Sequence, residues 1–395
     1  MNFRALLSRA APVDPFAKRI TVRGEENPNG EFVVYWMTSA RRLENNLTLD
    51  YARKHADRAQ VPLIVYEEPY PAPSKRIAEF ARAGAEDNAR DPAEFGIEYV
   101  MSPPHVDRAR IVVTDEYPTR PSTLNAHLVD SNGIFPLRAF EKEMYSAKQL
   151  RDRAVRKFEE YWFRPKPPRG NRRALRTLRD IKGRGSGLSP WLHFGFLGIH
   201  EVVDAVVHGE LGDDTANEFL EQAIIRRELS FNLCFYRHDY DSISALPDWA
   251  RATLDKHRHD RRSPLYSFEE FERAKTHDEV WNLAQRQLLA CGTMHNYLRM
   301  LWGKKIIEWS ATPEDALAAM IALFNKYSLD GRDPNTYAGA LWCLGKHDRP
   351  WFAERPIFGT IRYMSSESTK RKVRLADIEA EVTACEASAR TRAAS

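Results

Sequence analysis

Trp281, Trp302 and Trp309 stand in two apolar-periodic segments, and Trp342 and Trp351 follow a polar turn, Asp330-Gly331-Arg332-Asp333-Pro334-Asn335. Indole rings stack on flat ligands as readily as they fill a core. Met294, Tyr297, Leu298, Leu301, Trp302 and Trp309 fall at i, i+3, i+4, i+7, i+8 and i+15, a helical stripe. Trp302 and Trp309 are two turns apart and so share one face, about 10 Å from each other. Arg299 lies one turn before Trp302 on that side. A charge beside a buried aromatic row needs a partner, and Asp330 or Asp333 in the turn can supply it. Core packing explains any one of these tryptophans, but it explains the combination less well.

Two stretches upstream carry further chemistry. Gly183, Gly185 and Gly187 alternate, with Ser186 and Ser189 interspersed, and Pro190 follows. Serine at the N-cap with proline in the first helical position marks a helix start. Exposed N–H groups there can meet an anion, which the helix dipole favours. A plain capped turn is the competing reading. Further on, Asp214-Thr215 caps a helix whose buried stripe is Phe219, Leu220, Ala223 and Ile224, leaving Arg226, Arg227 and Glu228 toward a polar surface. A lone glutamate between aromatics reads as a surface residue; burial would raise its pKa and make it an acid. His238, His257, His259, His277, His295 and His347 show no ligand spacing. Cys234, Cys291, Cys343 and Cys385 include no Cys-x-x-Cys pair, which argues against a metal site or a disulfide framework and for a reducing compartment.

Taken in order, Trp281-Asn282, the run from Met294-His295-Asn296-Tyr297 to Ile307-Glu308-Trp309, the Asp330 turn and Gly359-Thr360-Ile361-Arg362-Tyr363-Met364 resemble class II cyclobutane pyrimidine dimer photolyases, within the photolyase/cryptochrome family. The likeness extends from Val33-Val34-Tyr35-Trp36-Met37 to Lys370-Arg371-Lys372 and is strongest after residue 183. In between, the chain is shorter than such relatives. The resemblance implies bent FAD, with Ser186, Gly187, Leu188 and Ser189 at its diphosphate and Arg299, Phe324, Asn325, Asp330, Asp333 and Asn335 around its ring. It implies DNA containing pyrimidine dimers as partner and light-driven ring splitting as activity. Glu228 would face the lesion, with Met300, Trp342 and Trp351 beside a flipped-out base pair. Arg349, Arg355, Arg362, Lys370, Arg371 and Lys372 would meet phosphates. Trp302, Trp281 and Trp309 would relay electrons from the surface. A monomer acting on DNA in the cytoplasm is also implied, as is an antenna chromophore of deazaflavin or folate type, of which the residues give no independent sign.

One position departs from that pattern. Such proteins carry an asparagine three residues before the tyrosine matching Tyr327, and its amide addresses the flavin N5. Here that place is Phe324, and Asn325 comes one later; one residue turns a side chain about 100° around a helix. The spacing from Trp342 to Trp351 is also one residue short. A cryptochrome-like photoreceptor without repair therefore stands as an alternative. A helical nucleic-acid-binding protein without cofactor is opposed by the Ser186–Pro190 segment and by Arg299 with Asp330.

The scaffold that must position these residues is legible in outline. A chain of 395 residues suits two domains. Its 43% hydrophobic and 29% charged residues are ordinary for a globular protein, and a net charge of +4 confines any DNA surface to a local patch. No apolar run reaches the length of a membrane span, and no leader-like h-region opens the chain, so a cytosolic protein is expected. Glu31–Met37, Val61–Tyr66, Ile97–Val100 and Ile111–Thr114 read as buried strands alternating with helices, hence a parallel sheet. The fold class expected is α/β: a Rossmann-like parallel α/β domain followed by an all-helical FAD-binding domain. The divisions expected are an arm (1–30), the α/β domain (31–140), a basic surface linker (141–183), the helical domain (184–375) and a terminal helix or frayed tail (376–395).

Overall fold

The structure, a computed structural model, describes residues 2–8, 13–90, 92–167, 171–181 and 186–394. The chain divides into two compact units, one of residues 1–72 with 78–236 and one of residues 73–77 with 237–395. The first holds a six-stranded sheet formed by β1 (Ile20–Thr21), β2 (Phe32–Met37), β3 (Leu63–Glu67), β4 (Glu98–Val100), β5 (Ala109–Asp115) and β6 (His127–Val129). Their order is β1-β6-β5-β2-β3-β4. All neighbours are parallel except β1 with β6. The apolar run of β2 is central because it is covered on both faces: Val33, Val34, Tyr35 and Met37 are all buried. Leu49, Ala52 and Ala56 of the Leu47–Ala59 helix pack on the same core. The four strands expected from sequence are present. The two- and three-residue strands β1 and β6 were too short to leave an apolar run.

Two expectations are corrected in this unit. Residues 2–8 and 13–30 are not an arm: Phe3 and Leu7 are buried, β1 pairs with β6, and Arg19 is enclosed by the carbonyl oxygens of Asp130, Gly133 and Ile134. Burial lowers the pKa of that guanidinium. Nor are residues 141–167 a surface linker. Leu150, Ala154, Phe158, Tyr161 and Trp162 recur at helical spacing and are buried, and the Trp162 indole N–H donates to the Leu7 carbonyl at 2.9 Å. The density of lysine and arginine around them masked the stripe. Pro168, Arg169 and Gly170 of the basic run lie outside the described residues, as do Gly183 and Gly185.

The second unit is helical, but it takes up the chain at residue 237 rather than at 184, because residues 184–236 belong to the first unit. Thr312 caps the Pro313–Tyr327 helix by accepting from the Asp315 N–H, and Asp333 caps Pro334–Cys343 by accepting from the Asn335 N–H. The Leu375–Ala394 segment is a full helix against Glu279–Cys291, held by Arg286 with Glu379 at 2.9 Å and with Glu386 at 3.1 Å. Cys291 and Cys385 form a disulfide between these two helices, with Cα atoms 5.5 Å apart, which corrects the expectation of no disulfide. Sequence spacing hid it because the partners are 94 residues apart. Cys385→Ser is expected to lower unfolding stability by about 2–4 kcal/mol. Urea titrations without reductant test this, and coincident curves for parent and variant would contradict it. Among the described residues, no helix is long and apolar enough to cross a membrane.

Candidate functional site

In the second unit the Glu279–Cys291 helix delivers Trp281 and the Asn296–Trp309 helix delivers Trp302 and Trp309. Trp281 sits between the other two. Its ring is stacked on Trp302 at 6.4 Å with planes 6° apart, and meets Trp309 edge-on at 6.0 Å. All three indoles are buried. The Trp281 N–H donates to the Trp302 carbonyl at 3.0 Å, and the Trp302 N–H to Gln285 Oε1 at 2.8 Å, so both rings are fixed. Beyond Trp309 the aromatic contacts continue to Tyr266 at 5.6 Å and His277 at 5.0 Å, neither anticipated from sequence. The His277 N–H donates to the Tyr266 hydroxyl at 2.9 Å, and that hydroxyl lies 2.7 Å from His277 Nδ1. The exposed His277 brings the aromatic row to the surface.

At the opposite end of the row, Phe324 lies 5.7 Å from Trp302, and the Arg299 guanidinium sits 4.5 Å over the Phe324 ring. Arg299 Nε is buried without a hydrogen-bond partner. The expected Arg299–Asp330 ion pair is not formed among the described residues. Asp330 instead accepts from the Ser328 hydroxyl, and Asp333 accepts from the Asn335 backbone and amide at 2.9 and 2.6 Å. Asp330 is thus engaged by a hydroxyl two residues before it, and Asp333 by the residue two after it. Gly331 is obligatory there, because a Cβ would lie 2.7 Å from the Phe324 carbonyl oxygen. Asn325 is also committed to the turn: its Oδ1 accepts from the Arg332 N–H at 2.7 Å, and its amide donates to the Tyr337 hydroxyl at 3.4 Å.

Trp351 and Arg362 come together, the guanidinium 5.3 Å from the indole. Trp342 meets His347 at 5.5 Å, and Arg349, Arg371 and Lys372 are exposed, with Met300 half-buried. Lys370 pairs with Glu367 at 2.8 Å, with Asp278 and Glu279 nearby, and no contact joins it to either tryptophan among the described residues. The sequence reading missed Phe352, which is fully exposed beside Trp351. An aromatic residue in a polar, proline-rich loop was the available signal.

In the first unit Glu228 is buried, not turned to a polar surface, and so is Arg227. Seven and eight residues after Leu220 return to the buried face, and a π-helical stretch, Glu221–Arg226, brings Ile225 inward beside Ile224. The Ile134 N–H donates to Glu228 Oε1 at 2.7 Å, and the Arg227 guanidinium covers Phe231 at 4.2 Å. Burial raises the Glu228 carboxyl to about 7, against the opposing pull of Arg227. A Cβ on Gly133 would stand 2.5 Å from that carboxylate.

Ser189 opens a helix of five residues, Ser189–His193, but Leu188 occupies the N-cap, which corrects the expected serine cap. Gly187 has φ of 70°, and the Leu188 N–H donates to the Ser186 hydroxyl at 3.4 Å. At the carboxyl ends of β2 and β5, where such sheets bind ligands, Asp115 accepts from the N–H groups of Thr38, Ser39 and Ala40 at 2.8, 2.7 and 3.0 Å. The space left beside them, lined by Ser39, Arg42 and Tyr117 among others, is about 10 Å³.

No protein-family model matches the chain. It is 35% identical over 434 residues to the deoxyribodipyrimidine photo-lyase of Methanothermobacter thermautotrophicus, covering 91% of this chain and 96% of that one. It is 33% identical over 445 residues to the enzyme of that name from Oryza sativa subsp. japonica, covering 90% and 88%. The chain belongs to the deoxyribodipyrimidine photo-lyase family. A Synechocystis cryptochrome superposes with a TM-score of 0.64 at 12% identity, covering 89% of this chain and 86% of that one. A class III photolyase from Agrobacterium tumefaciens gives 0.62 at 16%, covering 82% of each. These two share the fold: an α/β unit and a helical unit.

Proposed function

We propose that this chain is a light-driven, FAD-dependent lyase of the class II type that splits cyclobutane pyrimidine dimers in DNA. The observation that carries the reading is the closed row of indoles from Trp309 through Trp281 to Trp302, ending at Phe324 beneath an arginine with an orphaned donor. A buried, unsatisfied N–H is costly. An acceptor-bearing cofactor edge would satisfy it, so the residues present fit a flavin. Arg299 would hold that edge, Phe324 would wall the ring, and Asn325, Asp330, Asp333 and Asn335 would keep the turn in shape. Ser186, Gly187, Leu188 and Ser189 are proposed for its diphosphate on the strength of the resemblance. When bound, FAD supplies the light absorption and one-electron chemistry that open the cyclobutane ring.

The chain's own residues do the rest. The Trp309–Trp281–Trp302 row gives an electron a contiguous path inward from the surface. Glu228, with its carboxyl raised to about 7, holds a proton near neutral pH and can offer it to a carbonyl oxygen of the lesion. Trp342 and Trp351 offer stacking faces, and Arg349, Arg362 and Arg371 offer charge to phosphates. An antenna chromophore of deazaflavin or folate type rests on the resemblance alone.

The reading is tested first by colour. The purified protein should release about one FAD per chain on denaturation, the one-flavin stoichiometry a single such cofactor requires. A colourless protein that stays flavin-free after reconstitution contradicts it. The photoreceptor reading draws support from Phe324 and from the commitment of Asn325 to the turn. Flavin photoreduction without any dimer repair would select it.

A further inference from the structure

We infer that Cys291 and Cys385 form a thiol-exchange site, at which a dithiol reductant opens the bond and frees the C-terminal helix from the helix that carries Trp281. The inference does not depend on the repair reading. Cys291 ends the Glu279–Cys291 helix and Cys385 lies on the Leu375–Ala394 helix, and both residues are only half-buried. A disulfide within reach of solvent is of the labile, exchangeable kind.

Little else holds the C-terminal helix. It runs for 20 residues, yet Ile378 and Val382 are its only buried side chains among the described residues. Beyond Glu386 the described side chains are all exposed. Arg286 pairs with Glu379 and Glu386, but every one of these side chains is more than a third exposed, and such pairs add little. An open cleft of about 480 Å³, lined by Val280, Leu283, Leu375 and Glu379 among others, lies between the first turns of this helix and its support. Helices in proteins draw their stability mainly from the face they pack. With two buried side chains on that face, the covalent bond is the main fastening.

The fastening stands beside the elements that carry the indoles. The Gln287 amide donates to Glu381 Oε2 on the C-terminal helix at 2.8 Å. Gln287 Oε1 in turn accepts at 2.9 Å from the N–H of His295, the N-cap of the Asn296–Trp309 helix. Next to Cys291, the Gly292 carbonyl accepts from the Leu329 N–H at 2.8 Å and from the Ser328 hydroxyl at 3.3 Å. Opening the bond removes the cover from this junction and leaves its backbone hydrogen bonds in place.

The exchange balances. One thiolate of the dithiol attacks a sulfur of the pair, and the Cys291–Cys385 bond breaks with its electron pair on the other sulfur. The second thiolate then displaces the cysteine first attacked. The reagent leaves as a disulfide, oxidised by two electrons, and its two protons end on Cys291 and Cys385.

The test uses protein purified without reductant and treated at neutral pH with dithiothreitol or with a reduced Cys-x-x-Cys thioredoxin. Alkylation and peptide mass spectrometry locate the opened thiols, and hydrogen exchange reads the helix. Either dithiol should expose Cys291 and Cys385 to label while the buried Cys234 and Cys343 stay unlabelled. Amides of residues 375–391 should then exchange at least about tenfold faster, as a locally released segment does, while those of residues 296–309 keep their protection. Reoxidation should restore the slow pattern, and Cys385→Ser should match the reduced parent with or without dithiol. A bond that opens only in denaturant overturns the inference. So does a C-terminal helix equally protected before and after reduction, or a parent whose four cysteines are free as purified and stay free after diamide.

Discussion

Trp302→Phe is expected to leave the protein folded and flavin-bound while slowing its light-driven reduction by orders of magnitude. The ring at this position is the inner end of the indole row, stacked at 6.4 Å on Trp281, which in turn meets Trp309 at 6.0 Å. A phenyl ring keeps the packing but gives up an electron far less readily than an indole. The substitution also strands Gln285 Oε1, which now accepts the Trp302 N–H. That costs about 1–3 kcal/mol, so a melting curve accompanies the rate. Trp191→Phe is the control: Trp191 belongs to the first unit, where it packs on Phe80 and Phe196. Blue illumination with a thiol reductant, followed by absorbance, measures both variants. Equal slowing in the two would show that the row carries no electrons.

The second large effect is in pH. Burial holds the Glu228 carboxyl at about 7 in the folded chain, against about 4.3 when unfolded. The folded state therefore binds the proton more tightly. Its contribution to stability is full below the unfolded value, declines as pH rises between the two, and is lost above the folded value. The difference amounts to about 4 kcal/mol across that window. Glu228→Gln keeps an acceptor for the Ile134 N–H and cannot ionise. It should raise stability at pH 8 by about that amount relative to parent, and leave pH 4 nearly unchanged. Denaturant midpoints at the two pH values measure it. Parallel profiles for parent and variant would mean that Glu228 does not titrate in this window.

What the sequence made legible follows the length of its patterns. The apolar run at β2 and the stripe through Leu298, Leu301 and Trp302 are long enough to be read without tertiary information, and the sheet and the indole helices follow from them. Strands β1 and β6 are defined only by their partners. The stripe through Phe158 and Trp162 lay under basic residues, and the Cys291–Cys385 bond joins residues that only folding brings near. At the site, residue types were readable but their engagements were not. Asp330 and Asp333 read as partners for Arg299, yet short-range hydrogen bonds within their own turn take them instead. Glu228 read as exposed because its helix was phased from too few residues, and the π-helical stretch before it is invisible to a fixed 3.6-residue period.

The central claim is that this chain splits cyclobutane dimers with light. The most direct measurement incubates the flavin-loaded protein with a dimer-containing duplex, under blue or near-ultraviolet light and in the dark, and counts restored thymines. The account predicts restoration in the illuminated sample alone, at many turnovers per chain. An illuminated, reduced, flavin-loaded protein that leaves the dimers intact would contradict it.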